Sequence, residues 1–253
     1  MAEQTEQLKV AFDSDGYVAL PQFLSADEVR QLNSRLNELI THRLGEIPLE
    51  HVFYEDKSRP ETLKQLQQVW QYDSHLESLF TEGRFCNLAE VLLDGPVVPK
   101  NLQWFNKPPQ VGMATPAHQD GYYFMLDPCE AVTMWLALDP VDEENGCVRY
   151  VRGSHRDGMR AHGRSGRLGF SQSIVDFGQE EDLSREVTGP AAPGDLLAHH
   201  ALTIHRADGN RSTDRNRRAL GLIYYAAGAR EDAAAHQAYQ ERLAEELRAS
   251  GKI

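Results

Sequence analysis

No stretch of this 253-residue chain approaches the roughly 20 consecutive apolar residues that a membrane-crossing helix requires. The opening MAEQTEQLKV lacks the basic-then-apolar order of a secretory signal, and the closing Gly251-Lys252-Ile253 is not the peroxisomal Ser-Lys-Leu address. Cysteine is scarce. Cys86, Cys129 and Cys147 form no Cys-x-x-Cys pair and are odd in number, the usage of a reducing compartment with buried free thiols. A cytoplasmic location is the expectation. An excess of positive charge is also missing: at −12 overall, neither nucleic acid nor an anionic membrane suits the chain as main partner. What is present is 41% hydrophobic and 25% charged residues, the composition of a soluble globular protein with a sizeable core. Basic residues do cluster locally, in RYVRGSHRDGMR and NRSTDRNRR, and within an acidic chain such clusters point to an anionic small-molecule site.

Internal repeats and low-complexity tracts are absent too. Asp13 to Phe23 reads as a short strand that Pro21 restricts to a sheet edge. Ser25-Ala-Asp-Glu28 is a capping box, followed by Val29, Leu32, Leu36, Leu39 and Ile40 at helical spacing. A second helical stretch carries Leu76, Leu79, Phe80, Leu88, Val91 and Leu92. The texture then changes. NLQWF, AVTMWLAL, CVRYV, GDLLAHHALTIH and RRALGLIYY are short apolar or alternating runs separated by turn signals, which implies a β-sandwich or barrel. The expected organisation is one domain over 1–253: a helical part to about 95, a barrel over about 96–228, and a polar helix over about 231–248.

His118-Gln119-Asp120 carries the chemistry. Residues i and i+2 of a strand share a face, so this triplet presents an imidazole and a carboxylate to a common ion. A third ligand from a later strand would complete the two-histidine, one-carboxylate arrangement that leaves iron positions open. His199, His200 and His205 are the candidates. Arg217 or Arg218 follows on a strand, and an Arg fork suits the far carboxylate of a chelating keto acid. A zinc-type hydrolase on the same ligands, with a metal-activated water, would have no use for that arginine. A non-catalytic metal-dependent binder or sensor is the third class.

The order FNKPP, HQD, a Trp, ENGC, GSH and HALTIH with Asn210 and Arg217-Arg218-Ala-Leu resembles the phytanoyl-CoA dioxygenase family, and GYVALPQFLSADEV is similar to that family's N-terminal segment. The resemblance spans nearly the whole chain. It implies a mainly β fold with flanking α-helices, the double-stranded β-helix or jelly-roll, cupin-like barrel. It also implies Fe(II), 2-oxoglutarate and O₂ as cofactor and co-substrates, with oxidation of a small organic molecule. Carried over by position, the iron ligands are His118, Asp120 and His205, and the 2-oxoglutarate contacts are Arg217 (Arg218 as fallback), Trp135, Gln103 and Gln68. Related halogenases have a small residue in place of Asp120, so the carboxylate argues against halogenation. The chain departs from the family at Ala207, often Ser, and at Arg152, where many members have Pro.

Other expectations concern substrate. Tyr122, Tyr123 and Phe124 stand close enough to wall the cavity. Arg149 and Arg152 are expected to share a strand face; turned inward, they would need an anion on the substrate, because an unpaired buried charge costs several kcal/mol. Turned outward, they would pair with the abundant acids. His155 reads as a turn-stabilising residue. The adjacent His199 and His200 should face opposite sides of a strand, one lining the pocket and one packing.

Overall fold

The computed structural model describes residues 2–167 and 170–249; Gly251-Lys252-Ile253 lie outside them. Helix α1 (Ala2–Asp15) leads into β1 (Tyr17–Leu20), so Asp13 to Asp15 end a helix and the strand is shorter than the sequence suggests. Gly16, at φ +79°, makes the abrupt change of direction. Helix α2 (Ala26–His42) starts at the expected capping box: Ser25 accepts from the Glu28 backbone, and the Glu28 carboxylate accepts from the Ser25 backbone. Strands β2 (Val52–Tyr54) and β3 (Leu63–Leu66) follow within the part expected to be helical. The second helical stretch is split into α3 (Ser74–Thr81), capped by Asp73, and α4 (Gly83–Leu92). Glu82 lies between them, and Gly83, at φ +71°, opens α4.

The barrel region contains β4 (Val97–Lys107), β5 (Thr115–His118), the one-turn α5 (Gly121–Phe124), β6 (Leu126–Asp127), β7 (Ala131–Ala137) and β8 (Val148–Val151). Then come β9 (His162–Arg167), β10 (Phe170–Ile174), α6 (Glu180–Arg185), β11 (Glu186–Gly189), β12 (Leu196–His200), β13 (His205–Ala207) and β14 (Arg217–Ala226). Strand β15 (Arg230–Glu231) precedes α7 (Ala233–Ala249), so Glu231 belongs to a strand and the last helix starts two residues later than expected. No helix among the described residues is long and apolar enough to cross a membrane.

Two antiparallel sheets form the double-stranded β-helix. The larger runs β1-β12-β7-β14-β4-β3-β2 and the smaller β11-β8-β13-β5. Strand β1 is an edge of the larger sheet, and Pro21 falls just beyond its end. Strand alternation divides the larger sheet into two differently used faces. Leu102, Trp104, Leu220, Leu222, Met134, Leu136 and Ala198 point outward and pack beneath Leu32, Leu36, Phe80, Phe85 and Leu92 of the helices. The intervening residues Trp135, Ala137, Leu197 and Ala219 point inward and meet Cys147, Val148 and Tyr150 of the smaller sheet. One face is therefore a conventional apolar core, and the other surrounds the site.

Candidate active site

His118 ends β5, and β13 sets His205 directly opposite it in antiparallel register. The two rings lie 4.2 Å apart between centroids. Each Nδ1 is tied to a backbone carbonyl two residues earlier: His118 to Pro116 at 2.8 Å and His205 to Thr203 at 3.0 Å. Those bonds fix the Nδ1–H tautomer and leave each Nε2 as a lone-pair donor. Oδ1 of Asp120 lies 3.4 Å from Nε2 of His118 and 3.6 Å from Nε2 of His205. One donor atom from each of the three falls within 4.8 Å of the others, and two nitrogens with one carboxylate oxygen suit a divalent transition metal.

Asp120 reaches this position differently from the i, i+2 strand argument. The strand stops at His118, and Asp120 has helical backbone angles (φ −59°, ψ −34°) ahead of α5. The turn between them is held by Gln119, which is fully buried. Its carboxamide donates to Gly158 at 2.8 Å and Leu202 at 2.7 Å and accepts from the Arg160 backbone, while its own N–H donates to Nε2 of His162 at 3.1 Å. Burial opposes the charge on Asp120, but His205, His118 and His199 outweigh it and hold its pKa well below the ordinary carboxylate value. Burial, reinforced by His118 and His199, pushes the His205 pKa down, which keeps its imidazole neutral.

The two adjacent histidines do divide between faces. His199 points inward, with Nε2 3.2 Å from Oδ2 of Asp120, whereas His200 points outward to Glu130 at 3.3 Å. His155 binds the carbonyl of Asp13 at 3.1 Å and steadies the end of α1.

Further along the same inward face stands Arg217. It is 4% exposed, donates through Nε to the Gly146 carbonyl at 3.1 Å, and lies 5.1 Å from the Trp135 ring centre in a cation–π contact. No carboxylate among the described residues pairs with it. Burial lowers its pKa to about 10, so it remains a cation at neutral pH. Arg218 faces the other way and is engaged by Asp139 at 2.9 and 2.6 Å. Trp135, Gly221 and Gln103 are aligned in register across β7, β14 and β4, so Gln103 and Trp135 flank one glycine. A Cβ at Gly221 would meet the Phe105 ring at 2.7 Å.

Gln68 does not join this group. Its side chain accepts from Trp70 at 2.7 Å and approaches the Lys100 carbonyl at 3.5 Å. The carboxamide beside Gln103 is that of Gln65, which donates to it at 2.6 Å and is 3% exposed. Strand β3 has only four residues, too short for its alternation to show in the sequence, and that alternation turns Gln65 inward. Lys107, the cross-strand partner of Arg217, is also buried; it donates to the Met113 carbonyl and to Thr115 Oγ1 at 3.2 Å, and burial with Arg217 pushes its pKa well down.

Gly146 links the Asn-Gly turn to this cation. It has φ +87°, and a Cβ there would collide with the carbonyl oxygen of Asp208. Gly146→Ala is expected to cost about 1–3 kcal/mol from backbone strain alone. That corresponds to roughly 2–4 °C of Tm per kcal/mol in a chain of this size, readable in a thermal melt. The Arg217 guanidinium should shift with it, because its Nε donates to the Gly146 carbonyl.

The arginine pair does not line the cavity. Arg149 and Arg152 are three residues apart, so alternation cannot put them on one face, and β8 ends at Val151. Tyr150 takes the inward position. Arg149 is bound by Asp208 at 2.9 Å and Glu143 at 2.8 Å, and Arg152, more than half exposed, lies 3.5 Å from Asp15. Arg149→Ala and Arg152→Ala should both retain substrate-stimulated succinate release, and Arg152→Ala should cost less than about 1 kcal/mol of stability. Loss of stimulation in either variant would return that residue to the substrate site. Tyr122 stays near the three-donor cluster, its ring stacked on His162 at 4.4 Å and 21°. Tyr123 lies edge-on to His118 at 6.0 Å, with its hydroxyl on the Gln172 carbonyl at 2.9 Å.

The sequence pattern of the family described as phytanoyl-CoA dioxygenase matches residues 12–219. A phytanoyl-CoA dioxygenase of Arabidopsis thaliana is 27% identical over 247 residues, covering 83% of this chain and 85% of its own. L-proline trans-4-hydroxylase of Streptomyces griseoviridis is 28% identical over 237 residues, covering 86% and 84%. Among solved structures, the epimerase SnoN in complex with Fe³⁺, alpha-ketoglutarate and nogalamycin RO has a TM-score of 0.75 at 26% identity, over 91% of this chain and 87% of that one. With this fold and these relatives, the chain belongs to the phytanoyl-CoA dioxygenase family of iron- and 2-oxoglutarate-dependent oxygenases, which use O₂.

Proposed function

We propose that this enzyme hydroxylates a small organic molecule, with His118, Asp120 and His205 as the iron ligands and Arg217 as the anchor for 2-oxoglutarate. The observation that carries the reading is the pairing of a three-donor cluster with a buried arginine that no described carboxylate neutralises, both on the inward face of one barrel. A buried guanidinium of this kind is strongly unfavourable unless an anion completes it. The far carboxylate of 2-oxoglutarate supplies the anion, and the planar Arg fork receives it through two parallel N–H bonds. A metal hydrolase would leave Arg217 without a partner.

Iron bound at this site supplies the oxidation: 2-oxoglutarate, O₂ and a substrate C–H become succinate, CO₂ and a C–OH. The remaining work belongs to the chain. The Nδ1–H bonds of His118 and His205 aim both imidazoles before metal arrives, so little reorganisation is needed. Trp135 packs against Arg217 and excludes water from the ion pair, and Gln103, held by Gln65, offers a carboxamide beside Gly221. Tyr122 and Tyr123 wall the substrate side next to His118. The relatives favour a hydroxylation outcome, since one is a proline hydroxylase, although an epimerase shares the fold.

Small metabolites screened for substrate-stimulated succinate release with Fe(II), 2-oxoglutarate and O₂ should reveal one that is converted to a product 16 mass units heavier. Under ¹⁸O₂ that product should carry the label. Stimulated succinate with a product of unchanged or lower mass would replace hydroxylation by epimerisation or desaturation. Succinate release that did not depend on O₂ would overturn the reading altogether.

A further inference from the structure

Asp120 turns only one oxygen toward the two histidines. Its Oδ2 points the other way, where Thr133 Oγ1 donates to it at 2.6 Å and His199 Nε2 lies at 3.2 Å. Thr133 and His199 are cross-strand partners on β7 and β12, so the sheet register itself brings their side chains to the same carboxylate oxygen. His199 is 2% exposed, and its ring lies 4.2 Å from that of His205 between centroids. Its second nitrogen, Nδ1, is 3.2 Å from the hydroxyl of the fully buried Tyr150. Tyr17, backbone partner of His199 on β1, stacks on Tyr150 at 4.7 Å and 11°, closing the edge of the barrel over the pair.

The protons have one consistent arrangement in a neutral ring. An ionised carboxylate only accepts, so His199 must present Nε2–H to Asp120. Nδ1 then carries the lone pair and accepts from the Tyr150 hydroxyl, which burial keeps in its protonated form. Donors therefore run from Tyr150 to His199 to Asp120, and a separate donor comes from Thr133.

We propose that His199 and Thr133 are positioning residues that lock Asp120 as a one-oxygen metal donor, with Oδ1 toward the ion and Oδ2 withheld from it. The proposal rests on reading Asp120 as an iron ligand. Its chemical consequence concerns room. A carboxylate free to rotate could offer both oxygens and occupy a coordination position that this chemistry must keep open for the co-substrates. Tying Oδ2 to two donors removes that option and also spares the carboxylate a loss of rotational freedom when metal binds. His200, one residue on and facing the opposite side of the sheet, supplies a natural control.

The test uses Co(II) as a spectroscopic probe in His199→Leu, His199→Gln, Thr133→Val, Thr133→Ser and His200→Gln. Affinity is read by titration, and ligand geometry by the visible absorption of the bound ion. His199→Leu and Thr133→Val should each weaken Co(II) binding by about 10–100-fold, the usual cost of losing a partner that orients a ligand, and should change the absorption bands. His199→Gln keeps an N–H able to reach Oδ2 and Thr133→Ser keeps the hydroxyl, so both should recover most of the affinity and the parent spectrum. His200→Gln should match the parent. Circular dichroism and melting temperature identify any variant that fails to fold, and Thr133→Val and Thr133→Ser then carry the comparison without His199. Folded His199→Leu and Thr133→Val proteins with parental affinity and spectrum would overturn the proposal while leaving the ligand reading intact. A His205→Ala variant that binds Co(II) as tightly as the parent would overturn the ligand reading, and this proposal with it.

Discussion

Alanine at His118, Asp120 or His205 is expected to lower Fe(II) affinity by more than the roughly 10–100-fold that loss of a supporting partner costs, and to abolish 2-oxoglutarate turnover. Each substitution removes one of the three donors gathered within 4.8 Å among the described residues. Asp120→Ala should be the most severe, because it also deletes the charge that compensates the metal and strands the donors of Thr133 and His199 against an empty space. His200→Ala should keep nearly all of the metal, since its imidazole faces Glu130 on the outer side of the sheet. Iron titration of the four purified variants decides the matter: iron retained by His205→Ala and lost by His200→Ala would exchange their roles.

Arg217→Ala should raise the 2-oxoglutarate requirement by tens to thousands of fold while Fe(II) affinity hardly changes. Removing one partner of a buried, hydrogen-bonded charge pair costs on the order of 2–5 kcal/mol, and each 1.4 kcal/mol is about tenfold. Lysine at this position should recover only part of the loss, because a point charge cannot reproduce two parallel donors. Arg218→Ala should leave the co-substrate requirement close to parental, since its guanidinium is already engaged by Asp139 on the other face of β14. The comparison is a set of 2-oxoglutarate saturation curves at constant iron. If Arg218→Ala shows the larger shift, the co-substrate lies on the opposite face of β14, beside Asp139.

Where the sequence reading succeeded, the physics was local or periodic. The capping box at Ser25 and Glu28 depends on four consecutive residues, and it starts the helix where expected. Alternation along RRALGLIYY turned Arg217 toward Ala219 and Gly221, and the same period separated His199 from His200. Where it faltered, the pattern was short or broken. Strands β2 and β3 have three and four residues, too few to display a period, and the family resemblance points to Gln68 where the fold turns Gln65 inward. Treating HQD as continuous strand overlooked the turn at Gln119, whose buried carboxamide is satisfied by residues some 40 and 80 positions away. The Arg149 and Arg152 expectation failed on spacing: an odd separation divides faces, and the outer one offered Asp208 and Glu143.

By itself the sequence determined the kinds of donor available, their order along the chain and the face on which most of them stand, because residue chemistry and a two-residue period are properties of short segments. Tertiary structure decided which donors meet. The antiparallel register of β13 on β5 set His205 opposite His118, the pairing of β12 with β7 put Thr133 and His199 on one oxygen of Asp120, and the outward turn of β8 at Arg149 gave its charge to surface acids. Register between strands far apart in sequence is a cooperative outcome of packing the whole barrel, and no single segment carries the information to specify it.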